Sequence, residues 1–305
     1  MKVLFAGASG TLGRALLPQL LESGHEVIAL TRNTTAAERL RATGVEPVVA
    51  DVLDREALLG ALGGRRADAV LHELTALSSA PTSYRSMQAT NVLRTTGTAH
   101  LIEAARRMGA TRFVTQSIVF GYGYGPRPGV LDESAAFGRP DGTPVDPTLA
   151  ALAENESAVL GAEGLEGIAL RYGLFYGRDA DTVRRMLHRR MLPVGPSSGS
   201  IPLIHHDDAA AATVAALERG EPGSAYNIAD DDPGQSWRSY LEAAAAAFDT
   251  PRPLRWPAGL LRAMAPYAAR LMLDLDLRVS TSRARRELGW TPRYASASEG
   301  WRAAL

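Results

Sequence analysis

The residues that most constrain this chain stand at its start. Lys2 to Ala6 is a short apolar run of strand formers that passes into Gly7-Ala8-Ser9-Gly10-Thr11-Leu12-Gly13 and then into the helix-like stretch Arg14 to Ser23. After Gly24 a second strand runs from Glu26 to Leu30. Glycines spaced G-x-x-G-x-x-G inside a strand-turn-helix-strand unit have a physical reason. Missing side chains let the backbone turn tightly, let a pyrophosphate approach N–H groups at the helix N-terminus, and let helix and strand pack closely. Gly7, Ser9, Gly10, Thr11, Leu12 and Gly13 are therefore expected to cradle a dinucleotide. The competing reading is a glycine-rich turn that binds nothing.

The end of the second strand selects between cofactors. A carboxylate there would hold a ribose 2'-hydroxyl, whereas an arginine accommodates a 2'-phosphate. The residues are Leu30-Thr31-Arg32-Asn33, with no Asp or Glu, so NADP(H) is expected, held by Arg32. Such a charge-assisted bond is worth about 1.5 to 3 kcal/mol. A third strand, Glu46 to Ala50, ends in Asp51-Val52. The Asp51 carboxylate fits two readings, acceptor for the adenine amino group or cap of the helix that begins near Asp54. Leu74 and Thr75, past the fourth strand, complete the expected cofactor set.

The rest of the composition narrows the partners. With 305 residues there is room for one large or two interleaved domains, and 46% hydrophobic against 22% charged residues is ordinary for a soluble globular protein. Lys plus Arg (33) balances Asp plus Glu (33), which gives no long-range field toward nucleic acid or an anionic membrane, so a small molecule is the expected partner. The chain has no cysteine, which excludes disulfides, thiolate metal clusters and a cysteine nucleophile and agrees with a reducing cytoplasm. The run Val3 to Ala6 is too short for a signal-peptide core. Lys2 is the only lysine, and the Arg- and Ala-rich usage suggests a bacterial, GC-rich genome.

Further segments carry a resemblance. They are the glycine loop, Asp51-Val52, Ala69-Val70-Leu71-His72, Gly97-Thr98 leading to Ile102-Glu103-Ala104-Ala105, and Arg112-Phe113-Val114 leading to Ser117. Later come Leu170-Arg171-Tyr172-Gly173-Leu174-Phe175-Tyr176-Gly177, Leu203-Ile204-His205-His206-Asp207-Asp208-Ala209-Ala210, Tyr226-Asn227-Ile228 and Glu287-Leu288-Gly289-Trp290-Thr291-Pro292. In this order the chain resembles an extended short-chain dehydrogenase/reductase of the NAD(P)-dependent epimerase/dehydratase family. The resemblance implies an α/β fold, a Rossmann-type doubly wound parallel sheet with a smaller, interleaved C-terminal substrate lobe. Residues 1–172, with 204–228 returning to them, would form the dinucleotide domain, and 173–203 with 229–305 the lobe. Strand-helix alternation agrees, with strands expected near 2–6, 26–31, 46–50, 68–72, 111–116 and 166–171. Gly121 to Gly129, Gly138 to Pro147 and Pro193 to Pro202 read as loops that wall a site.

The chain departs from its family at the reacting end. Redox members use a Ser or Thr and a tyrosine proton donor helped by a lysine four residues later. Aligning Glu156 with the usual glutamate puts Thr148 at the tyrosine position and Leu152 at the lysine position. No register rescues the pair, because Lys2 is the sole lysine. Ser117 is expected to orient the substrate. Tyr122 or Tyr124, with an arginine or the cofactor ribose nearby, is expected to supply the proton unless these rings merely pack. Tyr84 and Glu73 are lesser candidates, and Asn91 and Arg94 fall where the family often places an asparagine near the active site.

Other features read as structural. His205-His206-Asp207-Asp208 has a metal-like composition, but neighbours on a strand point to opposite faces. Ala258 to Leu273 is too interrupted for a membrane span and reads as a core or pocket-lid helix, with a homodimer contact left open. Trp237, Trp256, Leu260 and Met264 line the substrate pocket in one reading and core in the other. The expected function is an NADP(H)-dependent oxidoreductase, most simply a reductase of a small organic substrate. The alternatives are an epimerase, dehydratase or cyclase that uses the cofactor transiently or as scaffold, and a non-catalytic NADP(H)-binding sensor.

Overall fold

In a computed structural model, residues 1–77, 80–196, 199–232 and 234–304 are described. Seven parallel strands form the central sheet: β1 (Lys2–Ala6), β2 (Glu26–Thr31), β3 (Glu46–Val49), β4 (Ala69–His72), β5 (Arg112–Ile118), β6 (Glu166–Tyr172) and a late strand, Ser224–Ile228. A separate two-stranded sheet pairs β7 (Leu174–Tyr176) with β8 (Leu203–His205), which makes Ser224–Ile228 β9. The order β3-β2-β1-β4-β5-β6-β9 is the doubly wound arrangement, whose order reverses between β1 and β4. Ligands gather outside the strand C-terminal ends at that reversal, where Gly7 and Glu73 lie.

Strand alternation sorts the core into two layers. Val3 and Phe5 of β1 share one cluster with Val27, Ala29, Leu71 and Val114, whereas Leu4 and Ala6 join Ile28, Leu30, Val70 and Phe113 in the other. The first layer is covered by α1 (Thr11–Glu22), the second by α3 (Arg55–Leu62), with α2 (Thr34–Arg41) joining β2 to β3. Both faces of every inner strand are thus apolar, as a parallel sheet clad on two sides requires. A kinked helical segment comprises α4 (Gln88–Val92), a π-helical stretch over Leu93–Gly97, and α5 (Thr98–Met108). Next come α6 (Asp146–Leu160), α7 (Ala180–His188) and α8 (His206–Arg219), the last packing beside α1.

A third cluster joins the loop after β5 to the C-terminal residues. It includes Tyr122, Tyr124, Tyr176, Tyr240, Tyr267 and the fully buried Trp301, and draws on α9 (Trp237–Ala247) and, past α10 (Ala258–Met264), on α11 (Pro266–Leu273) and α13 (Ala297–Ala303). Between these last two, α12 (Ser282–Leu288) instead sends Ala284 and Leu288 into the first layer. Residues 258–273 are therefore two helices, not one. Proline disfavours helical backbone in the residue before it, and Ala265 leaves the helix at φ −147°, ψ 69°. Leu260 and Met264 are 45% and 66% exposed, so they are not core. The 138–147 loop is also shorter than the sequence suggests, because α6 begins at Asp146 with Pro147 in its first turn, where a missing N–H costs nothing. Among the described residues no helix is long and apolar enough to cross a membrane.

Candidate active site

Gly7 leaves β1 at φ +121°, and a Cβ there would lie 2.8 Å from the carbonyl oxygen of Glu73. At Gly13 a Cβ would come within 2.2 Å of Gly7 O and 2.5 Å of Ala8 O, so only glycine lets α1 pack this close to the loop. Gly10 is the N-cap of α1 and offers no side chain to its first turn. The N–H groups of that turn keep their hydrogen-bonding capacity for an anion. Ser9 and Thr11 are exposed beside them, and Leu12 is buried. This cradle fits a pyrophosphate.

At the tip of β2 the Arg32 side chain is 66% exposed, with Nη1 3.8 Å from Asp51 Oδ2. Asn33 is occupied in capping α2, its Oδ1 accepting from Ala36 N at 3.1 Å. Asp51 is not the cap of α3: Asp54 accepts from Ala57 N in that role, and Asp51 Oδ1 closes a turn by accepting from Leu53 N at 2.9 Å. Val52 is buried, with its carbonyl on His100 Nδ1 at 2.8 Å. Past β4, Leu74 O accepts from Gln116 Nε2 at 2.8 Å and Thr75 is exposed.

At the reacting end, β5 places Ser117 opposite Arg171 of β6. Ser117 is 3% exposed, and its Oγ is buried without a hydrogen-bond partner among the described residues. A buried hydroxyl left unpaired costs about 1 to 3 kcal/mol. Thr148, in the first turn of α6, accepts a hydrogen bond from Asn91 Nδ2 at 3.2 Å, and Leu152 is wholly buried. These are the two residues that the sequence comparison sets against the family pair.

Tyr122 sits in a different setting from the one the sequence suggests. It is fully buried; its hydroxyl accepts from Arg171 Nη1 at 2.8 Å and has its single proton shared between Asn227 Oδ1 at 2.9 Å and Asp132 O at 3.1 Å. Arg171 is itself held by Glu156 through bonds of 2.7 to 3.2 Å. Burial raises the Tyr122 pKa further. A phenol spent on a structural network is poorly placed to donate to substrate.

Tyr124 lies elsewhere, its hydroxyl 3.0 Å from that of Tyr267 on α11. Both rings are within Coulombic reach of Arg94, which lies in the π-helical stretch and is 5% exposed. No side-chain hydrogen bond or ion pair holds Arg94 among the described residues, and its Nε and Nη1 are buried without partners. Tyr84 stacks edge-on to Tyr267 at 5.7 Å.

Sequence reasoning missed the polar spine beneath this end. Asn155 Oδ1 accepts from Thr98 Oγ1 at 2.9 Å and from Thr115 Oγ1 at 3.1 Å, and its Nδ2 donates to Gln116 O at 2.8 Å. Thr98 Oγ1 also lies 3.0 Å from His72 Nε2. Burial holds His72 neutral, with a pKa lowered to about 4. No local motif marks these residues, since each needs a partner 26 to 57 positions away. The residues 205–208 are likewise structural: His205 caps α8, His206 Nδ1 lies against Tyr176 O, and Asp208 accepts from Arg293 N and Tyr294 N.

Glu73 carries a titratable charge beneath the cradle. Burial raises its pKa from 4.5 to about 8, although Tyr172 donates a hydrogen bond to Oε1 at 3.3 Å. The folded protein therefore holds a proton that the unfolded chain releases. The stabilisation is complete below pH 4.5 and is lost as pH rises through about 8. Thermal melts from pH 5 to 9 are expected to show stability falling by at most about 1.4 kcal/mol per unit from this group. The Glu73→Gln variant should flatten that slope; an unchanged slope would show that Glu73 is already ionised in the fold.

The chain matches the pattern described as the NAD dependent epimerase/dehydratase family over residues 3–229. It is 38% identical to the 3-diazoavenalumate denitrifying reductase of a Streptomyces species, over 98% of this chain and 99% of that protein. It is 32% identical to the 2-alkyl-3-oxoalkanoate reductase of Stenotrophomonas maltophilia, over 83% of this chain and 77% of that protein. Among solved structures, the human epimerase family protein SDR39U1 with NADPH superposes at a TM-score of 0.79, covering 100% of this chain and 98% of its own. At 19% identity that likeness is one of fold.

Proposed function

This chain belongs to the NAD dependent epimerase/dehydratase family, and from that premise we propose that it is an NADP(H)-dependent reductase of a small organic acceptor, working without the family's Tyr/Lys pair. One observation carries the reading: an intact dinucleotide cradle stands at the same sheet edge as a buried, unpartnered hydroxyl, Ser117 Oγ. The reductase names of the two relatives support it.

When bound, the cofactor supplies a hydride. Gly7, Gly10 and Gly13 would admit its pyrophosphate to the first turn of α1 and Arg32 would hold the 2'-phosphate, with Asp51 beside it at 3.8 Å. Ser117 would donate to the polar atom of the acceptor and orient it. The buried neutral spine of His72, Thr98, Asn155 and Thr115 holds β5 and α6 in register beneath it. For a carbonyl acceptor the proton on oxygen comes from water, because burial and the neighbouring Tyr267 hydroxyl hold the Tyr124 phenol well above its ordinary range despite the nearby Arg94.

A second reading follows from the missing acid. A carbonyl needs a proton when hydride arrives, but a diazonium carbon does not: the C–H bond forms as the C–N bond breaks, and N2 departs with the electron pair. The Streptomyces relative is named for denitrification of a diazo compound. Thr148 and Leu152 at the pair's positions suit that chemistry equally.

Calorimetric titration of cofactor-free protein with NADPH and NADH tests the cofactor. NADPH is expected to bind at least about tenfold tighter, and Arg32→Ala to erase the preference. Equal affinities in the wild type, or an unchanged preference in the variant, would remove Arg32 from the role.

A further inference from the structure

We propose that Arg94 is the receptor for a carboxylate on the substrate, so that the acceptor is an organic acid of aromatic or conjugated character. The proposal deepens the reductase reading and rests on it for the word substrate. It begins from an unbalanced charge. Arg94 is 5% exposed, and Nε and Nη1 have no partner among the described residues. Proteins seldom bury a guanidinium without an anion, because an unpaired buried charge is among the costliest features a fold can carry. Among the described residues its neighbours supply no anion: Tyr124, Tyr267 and His72 lie within Coulombic reach, and burial keeps all three uncharged near neutral pH.

The location points to the substrate rather than the cofactor. Arg94 lies in the π-helical stretch Leu93–Gly97, a departure from α-helix that recurs at functional sites. Asn91, three residues before it, donates to Thr148, the residue at the position of the family's tyrosine, and Asn91 Oδ1 is a second buried atom without a partner. Arg94 therefore belongs to the reacting end. The cofactor's own anionic groups are assigned to the α1 N-terminus and to Arg32, which leaves the Arg94 charge to the substrate.

The surroundings define the rest of the ligand. The rings of Tyr84, Tyr124 and Tyr267 cluster at centroid distances of 5.7 and 6.2 Å, a setting for a flat conjugated body. One guanidinium with neutral hydroxyls nearby balances one negative charge, which fits a monovalent carboxylate better than a phosphate. The α11 helix that carries Tyr267 is tied to the segment at 82–84 by two hydrogen bonds, Tyr267 N to Thr82 O at 3.0 Å and the Tyr84 hydroxyl to Pro266 O at 3.5 Å.

The test titrates trans-cinnamate, benzoate and the neutral trans-cinnamamide into the protein with and without NADP+, and measures NADPH affinity separately. The wild type is expected to bind cinnamate or benzoate at least about tenfold tighter than the amide. Arg94→Met should lose that acid affinity, keep NADPH affinity within about twofold, and melt no lower than the wild type, since it removes an unpaired charge. Arg94→Lys, which keeps the charge without the planar fork, should retain part of the acid affinity. Neither acid binding the wild type, equal affinity for cinnamate and its amide, or an Arg94→Met protein that melts lower yet binds acid unchanged would each overturn the proposal. If the acids bind as expected while NADPH does not, the anion site stands and the reductase reading falls.

Discussion

Gly13→Ala is expected to lose measurable NADPH binding and to lower the unfolding free energy by about 3 kcal/mol. The added methyl group meets Gly7 O at 2.2 Å and Ala8 O at 2.5 Å, both backbone atoms of the loop that must approach the pyrophosphate. Neither can move aside as a flexible side chain would, so α1 must tilt from the sheet or the loop must open. Each outcome misdirects the N–H groups of the α1 first turn. Gly24→Ala is the control. Gly24 has φ +77° with nothing within 4 Å of a Cβ, so its cost is backbone strain alone, roughly 1 to 2 kcal/mol, with the cradle untouched. Urea unfolding and calorimetric titration of both variants separate the effects. A Gly13→Ala protein that binds NADPH like the wild type would refute the close-packing argument.

The sheet was legible because its causes are local. Val3 to Ala6, Val27 to Leu30 and Ala69 to Leu71 are apolar on both faces, and a strand buried on both sides must read that way. The glycine loop was legible for the same reason, since Gly7 and Gly13 are required by contacts with β1, α1 and the residue after β4. The setting of Tyr122 was not legible, because it is assembled from Arg171, Asn227 and Asp132, which are 49, 105 and 10 residues away, whereas the sequence shows only its nearness to Ser117. Arg94 shows the converse: nothing in its local sequence says that the chain will bury it, and its lack of a partner exists only in three dimensions. The split between α10 and α11 was written plainly in Pro266, yet its effect, bringing Tyr267 beside Tyr124, depends on a loop well over 100 residues earlier.

The Arg171 network should be the other large energetic feature, and its response to mutation should reveal its purpose. Arg171 donates to Glu156 on α6, to the Tyr122 hydroxyl and to Glu133 O, while its guanidinium lies 5.1 Å from the Tyr122 ring centroid and 4.6 Å from that of Phe137. Tyr122 passes the connection to Asn227 of β9. One side chain thus ties two sheet strands to α6 and to the loop that carries Tyr124 over the reacting end. Glu156→Leu leaves the guanidinium buried without its carboxylate and is expected to cost about 3 to 5 kcal/mol. Arg171→Met should cost a similar amount, because Glu156 is then the buried orphan. Glu156→Leu/Arg171→Met removes both charges together and is expected to be markedly less destabilised than the sum of the single variants. Urea unfolding of the four proteins closes this cycle, and strictly additive losses would show that the pair is not coupled. If the coupling is found, the double variant should still bind NADPH, since the cradle lies at β1, but should turn over poorly, because the loop bearing Tyr124 has lost its tie to β6. Stability restored without turnover would identify the network as the clamp that positions the substrate end, a role that neither Tyr122 nor Arg171 could fill by touching the substrate itself.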